Sequence, residues 1–302
     1  MARILVTGAT GFVGRHLTPV LLERGHELTE AGRRPSGAAG RFALVNDIGP
    51  ETDWREALMD VDAIIHLAGL AHREDAEEAQ FFAINDLGTR RLVEASEAAG
   101  AQAFVAISSI AAREAERAAE NASAYGRSKL AGETHVRRFA QAGKVGVILR
   151  PPLVYGHDAP GNWGKLQRLA ASRLPLPFGA VANRRSLCSV GNLCHAIVVA
   201  TEAALKGTGS GTYEIADRDM VSLTEILTWL RAGMGKPSGL APVPAGLLRL
   251  AGRLSGKRKL VAALLDDLTL DPSPFMRVFA WSPPEEAEEA IKRSGRLFAE
   301  KI

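Results

Sequence analysis

A tyrosine and a lysine four residues apart are the side chains in this sequence best suited to proton transfer. On a helix, Tyr125 and Lys129 would share one face, about 6 Å apart along the axis. A phenol titrates at about pH 10, and a nearby ammonium group favours the phenolate. Ser109, at the end of a predicted strand, would hydrogen-bond the same substrate oxygen. The three residues predict proton transfer coupled to hydride transfer, although the pair alone would also fit an exposed helix face.

A glycine-rich turn near the start of the chain predicts a seat for cofactor phosphates. The apolar run 4–6 predicts a buried strand, and Gly8, Gly11 and Gly14 follow it. Glycines at such spacings allow a tight reversal, close approach of backbone N–H groups to a pyrophosphate, and close packing of the next helix. The positive end of that helix would face the phosphates. The alternative is a structural strand–helix turn.

The end of the predicted second strand bears on the choice between NAD and NADP. An acidic residue there would bind the ribose 2′-hydroxyl, whereas arginine suits a 2′-phosphate. Gly32, Arg33 and Arg34 occupy this place, and Glu30 stands slightly too early. The sequence therefore favours NADP over NAD, with two solvated arginines as the alternative.

Strands and helices alternate along the first half of the chain, which predicts an α/β fold with a doubly wound parallel sheet. Six strands are expected, at 4–6, 26–31, 42–46, 61–69, 103–107 and 145–149. Between them we expect helices at 54–59 and 76–99 and a charged loop at 113–121. Later in the chain we expect helices at 193–205, 223–234 and 244–265 and a strand at 211–216, forming a smaller mixed domain.

Composition excludes several classes of protein. The 302 residues are 46% hydrophobic, which suffices for a full core, and 37 basic against 34 acidic residues give a net charge of +3, which implies no nucleic-acid partner. A secretory leader and a long apolar run are both missing, so we expect a cytoplasmic protein with no transmembrane segment.

Two further features carry weaker predictions. Cys188 and Cys194 lie in an apolar segment without metal-ligand spacing, so we expect buried free thiols and no metal site. The basic cluster from Arg249 to Lys259 fits either a solvated helix face or a position near an anionic membrane.

The motifs as a set resemble the extended short-chain dehydrogenase/reductases, the NAD-dependent epimerase/dehydratase family. The resemblance covers nearly the whole chain and rests on Thr7–Gly14, Asp47-Ile48, His66–Gly69, Asn85 with Gly88-Thr89, Ser108-Ser109, Tyr125–Lys129 and Arg150-Pro151. It implies a Rossmann domain, a UDP-sugar substrate, and Ser109, Tyr125 and Lys129 as the catalytic set. The segments nearest the C-terminus look most like UDP-glucose 4-epimerase-like and UDP-N-acetylquinovosamine 4-reductase-like members of surface-polysaccharide pathways.

The resemblance, with the glycine turn and the two arginines, gives the predicted cofactor-binding set. Its members are Gly8, Thr10, Gly11, Phe12, Val13, Gly14, Arg33, Arg34, Asp47, Ile48, Leu67, Ala68, Gly69, Asn85, Ser108, Tyr125, Lys129 and Pro152. The predicted substrate-binding residues are Ser109, Asn162, Pro177, Phe178 and Arg185. Residues 1–155 would form the NAD(P)-binding domain, with 186–216 returning to it, and 156–185 and 217–302 the nucleotide-sugar domain. Family members often pair through a helix bundle, which allows a homodimer.

The sequence also departs from the family pattern. Ile110–Arg113 replaces a frequent Tyr-Gly pair, Leu153 stands where an asparagine often contacts the sugar, and Gly32 replaces the usual acid. A dehydratase is disfavoured because no Asp-Glu pair follows Ser109. Two readings of the reaction stay open, a 4-epimerase and a 4-ketoreductase acting on a UDP-hexose through a 4-keto sugar. A non-catalytic cofactor sensor or scaffold is the alternative to both.

Overall fold

The chain forms two compact units in a computed structural model that describes residues 1–71 and 76–301, apart from the side chain of Lys259. The first unit comprises Met1–Pro151, Leu193–Ile215 and Pro272–Trp281. The second comprises Pro152–Asn192, Ala216–Asp271 and Ser282–Ile302, described as far as residue 301.

A parallel sheet of 7 strands forms the centre of the first unit, in the order β3-β2-β1-β4-β5-β6-β9. The strands are β1 (Arg3–Thr7), β2 (Glu27–Gly32), β3 (Arg41–Leu44), β4 (Ala63–His66), β5 (Ala103–Ile107), β6 (Val145–Arg150) and β9 (Gly211–Glu214). Strands such as β1 and β6 are apolar almost throughout because helices cover both faces of a sheet of this kind. The predicted α/β fold with a doubly wound, Rossmann-type sheet is confirmed.

Helices alternate with most of the strands of the first unit. They are α1 (Phe12–Glu23), α2 (Glu78–Phe82), α3 (Thr89–Ala98), α4 (Ile110–Arg117), α5 (Ala124–Gln141), α7 (Val190–Ala204, in this unit from Leu193) and α11 (Ser273–Phe279). Leu5, Ile64, Phe104 and Ile148 of the sheet are almost fully buried. Phe104 meets Phe139 of α5 edge to face, with ring centroids 5.8 Å apart.

The second unit combines helices with a small sheet. It contains β7 (Leu153–Tyr155) paired in parallel with β8 (Leu187–Ser189), and α6 (Asn162–Ala171), α8 (Leu223–Gly233), α9 (Ala245–Leu254), α10 (Arg258–Leu265) and α12 (Ala287–Ala299). The buried Trp163 stacks on Tyr155 at 4.7 Å and donates to Ser294 Oγ of α12 at 3.0 Å. Cys188 here and Cys194 in the first unit are buried thiols outside any disulfide, as predicted.

Several predicted elements differ from the structure. Residues 54–59 form a turn rather than a helix, since the chain reverses at Asp60 with φ of 58°. The predicted loop 113–121 is largely helix α4 and a 3-10 turn at Ala119–Asn121. Alanine is the best helix former, and Ala112 and Ala115, three apart, are both buried, so this charged segment is an amphipathic helix.

The predicted helix 76–99 is interrupted. A π-helical turn at Ala83–Gly88 separates α2 from α3. A Cβ at Gly88 would lie 2.7 Å from Ile48 Cγ2, and one at Gly132 of α5 would lie 2.3 Å from the Asn85 carbonyl oxygen. The wide turn therefore fits closely against two neighbouring segments, which helical periodicity alone does not reveal.

Strand β9 lies in residues 186–216, which were predicted to return to the first domain, and it belongs to the first unit. Helix α11 also belongs to the first unit, whereas 217–302 was predicted to lie wholly in the second domain. The aromatic rings explain why α11 belongs here. Phe275 and Phe279 pack on Tyr213 of β9, with ring centroids 5.7 and 5.2 Å away. No helix among the described residues is long and apolar enough to cross a bilayer.

Candidate active site

The glycine turn after β1 is built by close backbone contacts. Gly8 has φ of 77°, and a Cβ there would lie 2.8 Å from the Ala68 backbone nitrogen. A Cβ at Gly14 would lie 2.3 Å from the Gly8 carbonyl oxygen, so the first turn of α1 lies directly on the loop. Gly11 donates its N–H to the Gly8 carbonyl at 2.9 Å. Side chains at these positions would force backbone apart.

Helix α1 begins without a side-chain cap. Its N-cap is Gly11, which makes no side-chain hydrogen bond, and the first intrahelical bond runs from Arg15 N–H to the Gly11 carbonyl at 3.0 Å. The N–H groups of Phe12, Val13 and Gly14 therefore have no acceptor within the helix. These donors and the positive end of the helix dipole make a seat for an anion such as a pyrophosphate.

Helix α5 carries the predicted Tyr125 and Lys129. Ser123 caps the helix by accepting from the Gly126 N–H at 3.1 Å, so the first turn begins at a fixed residue. A Cβ at Gly126 would lie 2.5 Å from the Ala111 carbonyl oxygen, and α5 therefore lies directly against α4. This contact brings the start of α5 to Ser109, the N-cap of α4.

The Ser109 hydroxyl lies near enough to Tyr125 to lower the pKa of the phenol. Ser109 Oγ also accepts from the Ala111 N–H at 3.1 Å as the cap of α4, so its own proton is left to donate. The ring of Tyr125 is held by Phe81, whose centroid lies 6.3 Å away in an edge-on arrangement. The structure thus brings together two of the three predicted catalytic residues.

Lys129 lies on the same face of α5, one turn further along. Its Nζ donates to the Ile107 carbonyl at the end of β5, at 2.6 Å. A Cβ at Gly69 would lie 3.7 Å from this Nζ and 2.9 Å from Asn85 Oδ1, so the loop after β4 passes beside the ammonium group. The end of β5, the loop after β4 and α5 meet at Lys129.

Burial shifts both titrating groups toward their neutral forms. It raises the pKa of Tyr125, and the nearby Ser109 hydroxyl only partly opposes this. Burial also lowers the pKa of Lys129 to about 8, against an opposing effect of the Glu133 charge. The sequence predicts a lowered pKa for Tyr125 when a charged nicotinamide ring and the lysine are both beside it, whereas in the chain alone desolvation of the phenolate raises this pKa.

A buried hydrogen-bond chain orders the residues behind this site. Thr89 Oγ1 donates to the Asn85 carbonyl at 2.8 Å, which leaves it to accept from His66 Nε2 at 3.1 Å. His66 Nδ1 must then accept from Thr7 Oγ1, at 2.7 Å. Burial, reinforced by the Lys129 charge, lowers the pKa of His66 to about 3. His66 is therefore neutral and held in one tautomer.

The Asn85 side chain is hydrogen-bonded to the loop after β4. Its Oδ1 accepts from the Leu70 N–H at 2.8 Å, and its Nδ2 donates to the Leu70 carbonyl and to Ser128 Oγ, both at 3.0 Å. The side chain was predicted as either a packed amide or part of the site. In the chain alone it ties the loop to α5.

A buried ion network lies under Lys129. Glu133 accepts from Arg150 through Nε at 2.8 Å and Nη2 at 2.6 Å, and from Arg137 Nη2 at 2.7 Å. Ser108, a predicted cofactor-binding residue, donates its hydroxyl to Glu133 at 2.5 Å. The Ser108 side chain therefore belongs to the network that supports α5 and β6.

The two arginines after β2 are exposed. Glu30, by contrast, is buried and accepts from the Ser36 N–H at 2.8 Å and from the Ser36 hydroxyl. This contact folds the loop between them back on the strand, with Arg33 and Arg34 outermost. Glu30 is thus engaged within the loop, whereas Arg33 and Arg34 form no ion pair with any residue that the structure describes.

The remaining predicted cofactor residues occupy varied places. Asp47 is exposed, and its carbonyl accepts from Thr52 Oγ1 at 2.9 Å, while Ile48 packs on the core beside the π-helical turn. Thr10, Leu67 and Ala68 are partly exposed, and Gly69 is exposed. Pro152 is buried and belongs to the second unit.

The predicted substrate-binding residues other than Ser109 lie in the second unit. Asn162 and Pro177 are exposed, and Phe178 is partly exposed, with its carbonyl accepting from Thr224 Oγ1 at 2.6 Å. Arg185 donates from Nη1 to the Asp266 carbonyl at 2.6 Å, and its backbone bonds Val221. Arg185 is therefore half-buried and already holds one partner.

Comparison with known proteins identifies the family. The model of the NAD dependent epimerase/dehydratase family matches residues 4–216, which include every element described around Tyr125. The chain belongs to this family. A relative of this epimerase/dehydratase chain, UDP-glucose 4-epimerase of Vibrio cholerae, is 30% identical over 315 residues, covering 98% of this chain and 95% of that protein.

Solved structures agree with the family fold. UDP-N-acetylglucosamine 4-epimerase from Bacillus cereus matches with a TM-score of 0.78 at 20% identity, over 99% of both chains. MoeE5 in complex with UDP-glucose and NAD matches with a TM-score of 0.75 at 21% identity, also over 99% of both chains. These likenesses establish the parallel sheet with flanking helices for this family member.

Sequence reasoning missed Glu133 and the roles of Arg150 and His66 in the buried networks. One signal was available for Glu133, because it continues the spacing of four that links Tyr125 to Lys129 along α5. Nothing comparable marked Thr7 and Thr89, which meet His66 only when three separate segments fold together.

Proposed function

We propose that the protein is an NAD(P)-dependent oxidoreductase that acts at C4 of a UDP-hexose through a 4-keto sugar. The proximity of the Ser109 hydroxyl to Tyr125 carries this proposal, with Lys129 fixed one turn away on the same helix. A phenol and a hydroxyl placed side by side can both reach one sugar oxygen. The family and the relatives reported above support a nucleotide sugar as the substrate class.

The glycine turn fits a dinucleotide. The Gly8–Gly14 loop has no side chain where the backbone N–H groups of α1 open, and any Cβ at Gly8 or Gly14 would collide with backbone. Phe12 and Val13 would donate to the pyrophosphate, and Lys129 would lie near the ribose and nicotinamide. A bound nicotinamide supplies the acceptor and donor for hydride.

In the proposed reaction, side chains of the protein accept and return the hydroxyl proton of the sugar. When an alcohol is oxidised, Tyr125 Oη accepts the hydroxyl proton, and when a ketone is reduced it returns that proton to the oxygen. Ser109 Oγ donates a hydrogen bond to the same oxygen and holds it in place. Lys129, anchored on the Ile107 carbonyl, favours the phenolate by its charge once substrate covers the site.

Residues of the second unit are assigned to the nucleotide. Arg185 uses one nitrogen on the Asp266 carbonyl, which leaves the rest of its planar donor set to bind a diphosphate. Pro177 and Phe178 are assigned to the base, and Asn162 to the diphosphate or sugar. Arg185→Lys would weaken UDP binding because a lysine cannot reproduce the fork of donors.

A 4-ketoreductase that uses NADPH is the second candidate. One observation favours it over an epimerase: Arg33 and Arg34 are exposed, whereas Glu30 is bound to Ser36. The expected consequence is a preference for NADPH that falls about tenfold in Arg33→Gln/Arg34→Gln. Arg55→Gln, another exposed arginine, is the control.

The experiment follows nicotinamide absorbance and sugar products together. The purified protein is incubated with UDP-glucose, UDP-N-acetylglucosamine and a UDP-4-keto sugar, with and without NADPH or NADH. Interconversion of epimers without net redox identifies the epimerase, and net oxidation of NADPH by the keto sugar identifies the reductase. Dinucleotide binding with no turnover of any UDP-sugar would refute the proposal in favour of a cofactor sensor.

A further inference from the structure

Helices α9 and α10 form a hairpin in the second unit that the proposed chemistry does not use. The two helices touch at Gly252, where a Cβ would lie 2.6 Å from Val261 Cγ2. The turn between them is short, with Gly256 at φ of 70°. We call residues 245–265 the α9–α10 hairpin.

The hairpin exposes leucines along one line. Leu247, Leu250 and Leu254 are 58%, 51% and 82% exposed, and their spacing of three and four puts them on one face of α9. Leu260 of α10 is 55% exposed. Single exposed leucines are ordinary, but a row of them along an amphipathic helix marks a surface that binds something apolar.

Positive charge surrounds these leucines. Arg253, Lys257 and Arg258 are exposed, and among the described residues none of the three forms an ion pair. Arg249 is paired with Asp266, at 2.7 Å. No acidic residue occurs between Arg249 and Leu265, so the hairpin combines an apolar row with a field of one sign.

We propose that the α9–α10 hairpin docks on the surface of an anionic phospholipid bilayer. Basic side chains next to exposed leucines match such a surface, where anionic headgroups lie directly above the acyl chains. The helices would lie in the plane of the interface, with the leucines inserted and Arg253 and Arg258 among the headgroups. Helices of this length lie on a membrane and do not span it.

Charge and composition argue for lipid over other occupants. In a symmetric pair the same surface faces its own copy, which would set the unpaired cations of one hairpin against those of the other. A single-stranded nucleic acid would need aromatic side chains for stacking, and residues 245–265 contain none. An anionic bilayer offers acyl chains to the leucines and negatively charged headgroups to the cations.

The test is co-sedimentation of the full-length protein with phosphatidylcholine vesicles and with vesicles that contain about 30% phosphatidylglycerol. We expect binding to the anionic vesicles only, with a loss of about tenfold or more when salt screens the charges. Equal binding to both vesicles, or to neither, overturns the proposal. The assay needs no turnover, so it is independent of the proposed function.

Charge variants locate the surface. Arg253→Gln/Arg258→Gln should weaken binding to anionic vesicles about tenfold or more. Arg55→Gln/Arg277→Gln removes the same charge from exposed arginines of the first unit and should leave binding unchanged. If the two double variants bind alike, net charge rather than the hairpin is responsible, and the proposal fails.

An apolar variant tests insertion. Leu254→Ser should reduce binding severalfold, whereas Val278→Ser, which alters a 55% exposed residue of α11, should not. Thermal unfolding of each variant verifies that it is folded. Light scattering without vesicles provides a second readout: a dimer that Leu254→Ser dissociates would replace the bilayer with a second copy of the chain.

Discussion

Removing the charge of Glu133 should destabilise the first unit far more than its distance from substrate suggests. The Glu133 and Arg150 side chains are 2% and 6% exposed and share two hydrogen bonds. Truncating one partner of a buried ion pair leaves the other charge without compensation, which costs about 3–5 kcal/mol. For a domain of this size, that loss lowers the Tm by about 6–20 °C. Glu133→Leu is the variant to measure.

The matched control removes an acidic partner of the same arginine. Glu116 accepts from Arg150 Nη1 at 2.8 Å, but its side chain is 49% exposed. Solvent screens such a pair, so Glu116→Gln should cost about 1 kcal/mol or less. The comparison therefore sets a buried acidic partner of Arg150 against an exposed one.

A double variant completes a double-mutant cycle for Glu133 and Arg150. Glu133→Leu/Arg150→Met removes both buried charges, and replacing such a pair with apolar groups is often neutral, so most of the lost stability should return. Urea unfolding followed by circular dichroism and tryptophan fluorescence gives each free energy. If Glu133→Leu loses under about 1 kcal/mol, or if the double variant loses the sum of the single losses, the network does not stabilise the unit as argued.

Three further predictions test other parts of the site. Tyr125→Phe should lower kcat by about 10²–10⁴-fold while fluorescence titration shows unchanged dinucleotide binding. Between its ordinary pKa of about 6.5 and its folded pKa of about 3, His66 binds a proton only in the unfolded state, so the wild type loses stability as the pH is lowered through this range. In urea titrations its stability advantage over His66→Gln should narrow by about 2 kcal/mol when the pH is lowered from 6.5 to 5.0. Gly14→Ala should cost about 1–3 kcal/mol in the same assay, whereas Gly246→Ala, with open space around its Cβ, should cost nothing.

Local sequence patterns predicted the strand, the turn and the helix correctly where the pattern fits only one type of structure. The apolar run of β1 and the glycines at 8, 11 and 14 identify a strand, a turn and a helix, and the structure has them there. The spacing of Tyr125 and Lys129 likewise predicts a shared helix face, which α5 provides. In these cases the sequence neighbours are also the spatial neighbours.

Prediction failed where the deciding contact is distant in sequence. The π-helical turn at Ala83–Gly88 fits against Ile48 and Gly132, and α11 joins the first unit through rings that meet Tyr213. The raised pKa of Tyr125 in the chain alone has a related cause. Desolvation is set by everything that covers a group, whereas the spacing to Lys129 reports only one neighbour.

One face of helix α5 carries both the side chains of the proposed reaction and the buried carboxylate that stabilises the first unit. Tyr125, Lys129 and Glu133 follow each other at intervals of four, so the phenol, the ammonium and the buried carboxylate lie on one face. The Glu133 charge raises the pKa of Lys129 against the effect of burial. Glu133→Leu should therefore lower the Lys129 pKa below about 8. A lysine that loses its proton near neutral pH stabilises the phenolate poorly. The Glu133 carboxylate would therefore also set the pH range over which Tyr125 can act in the proposed reaction.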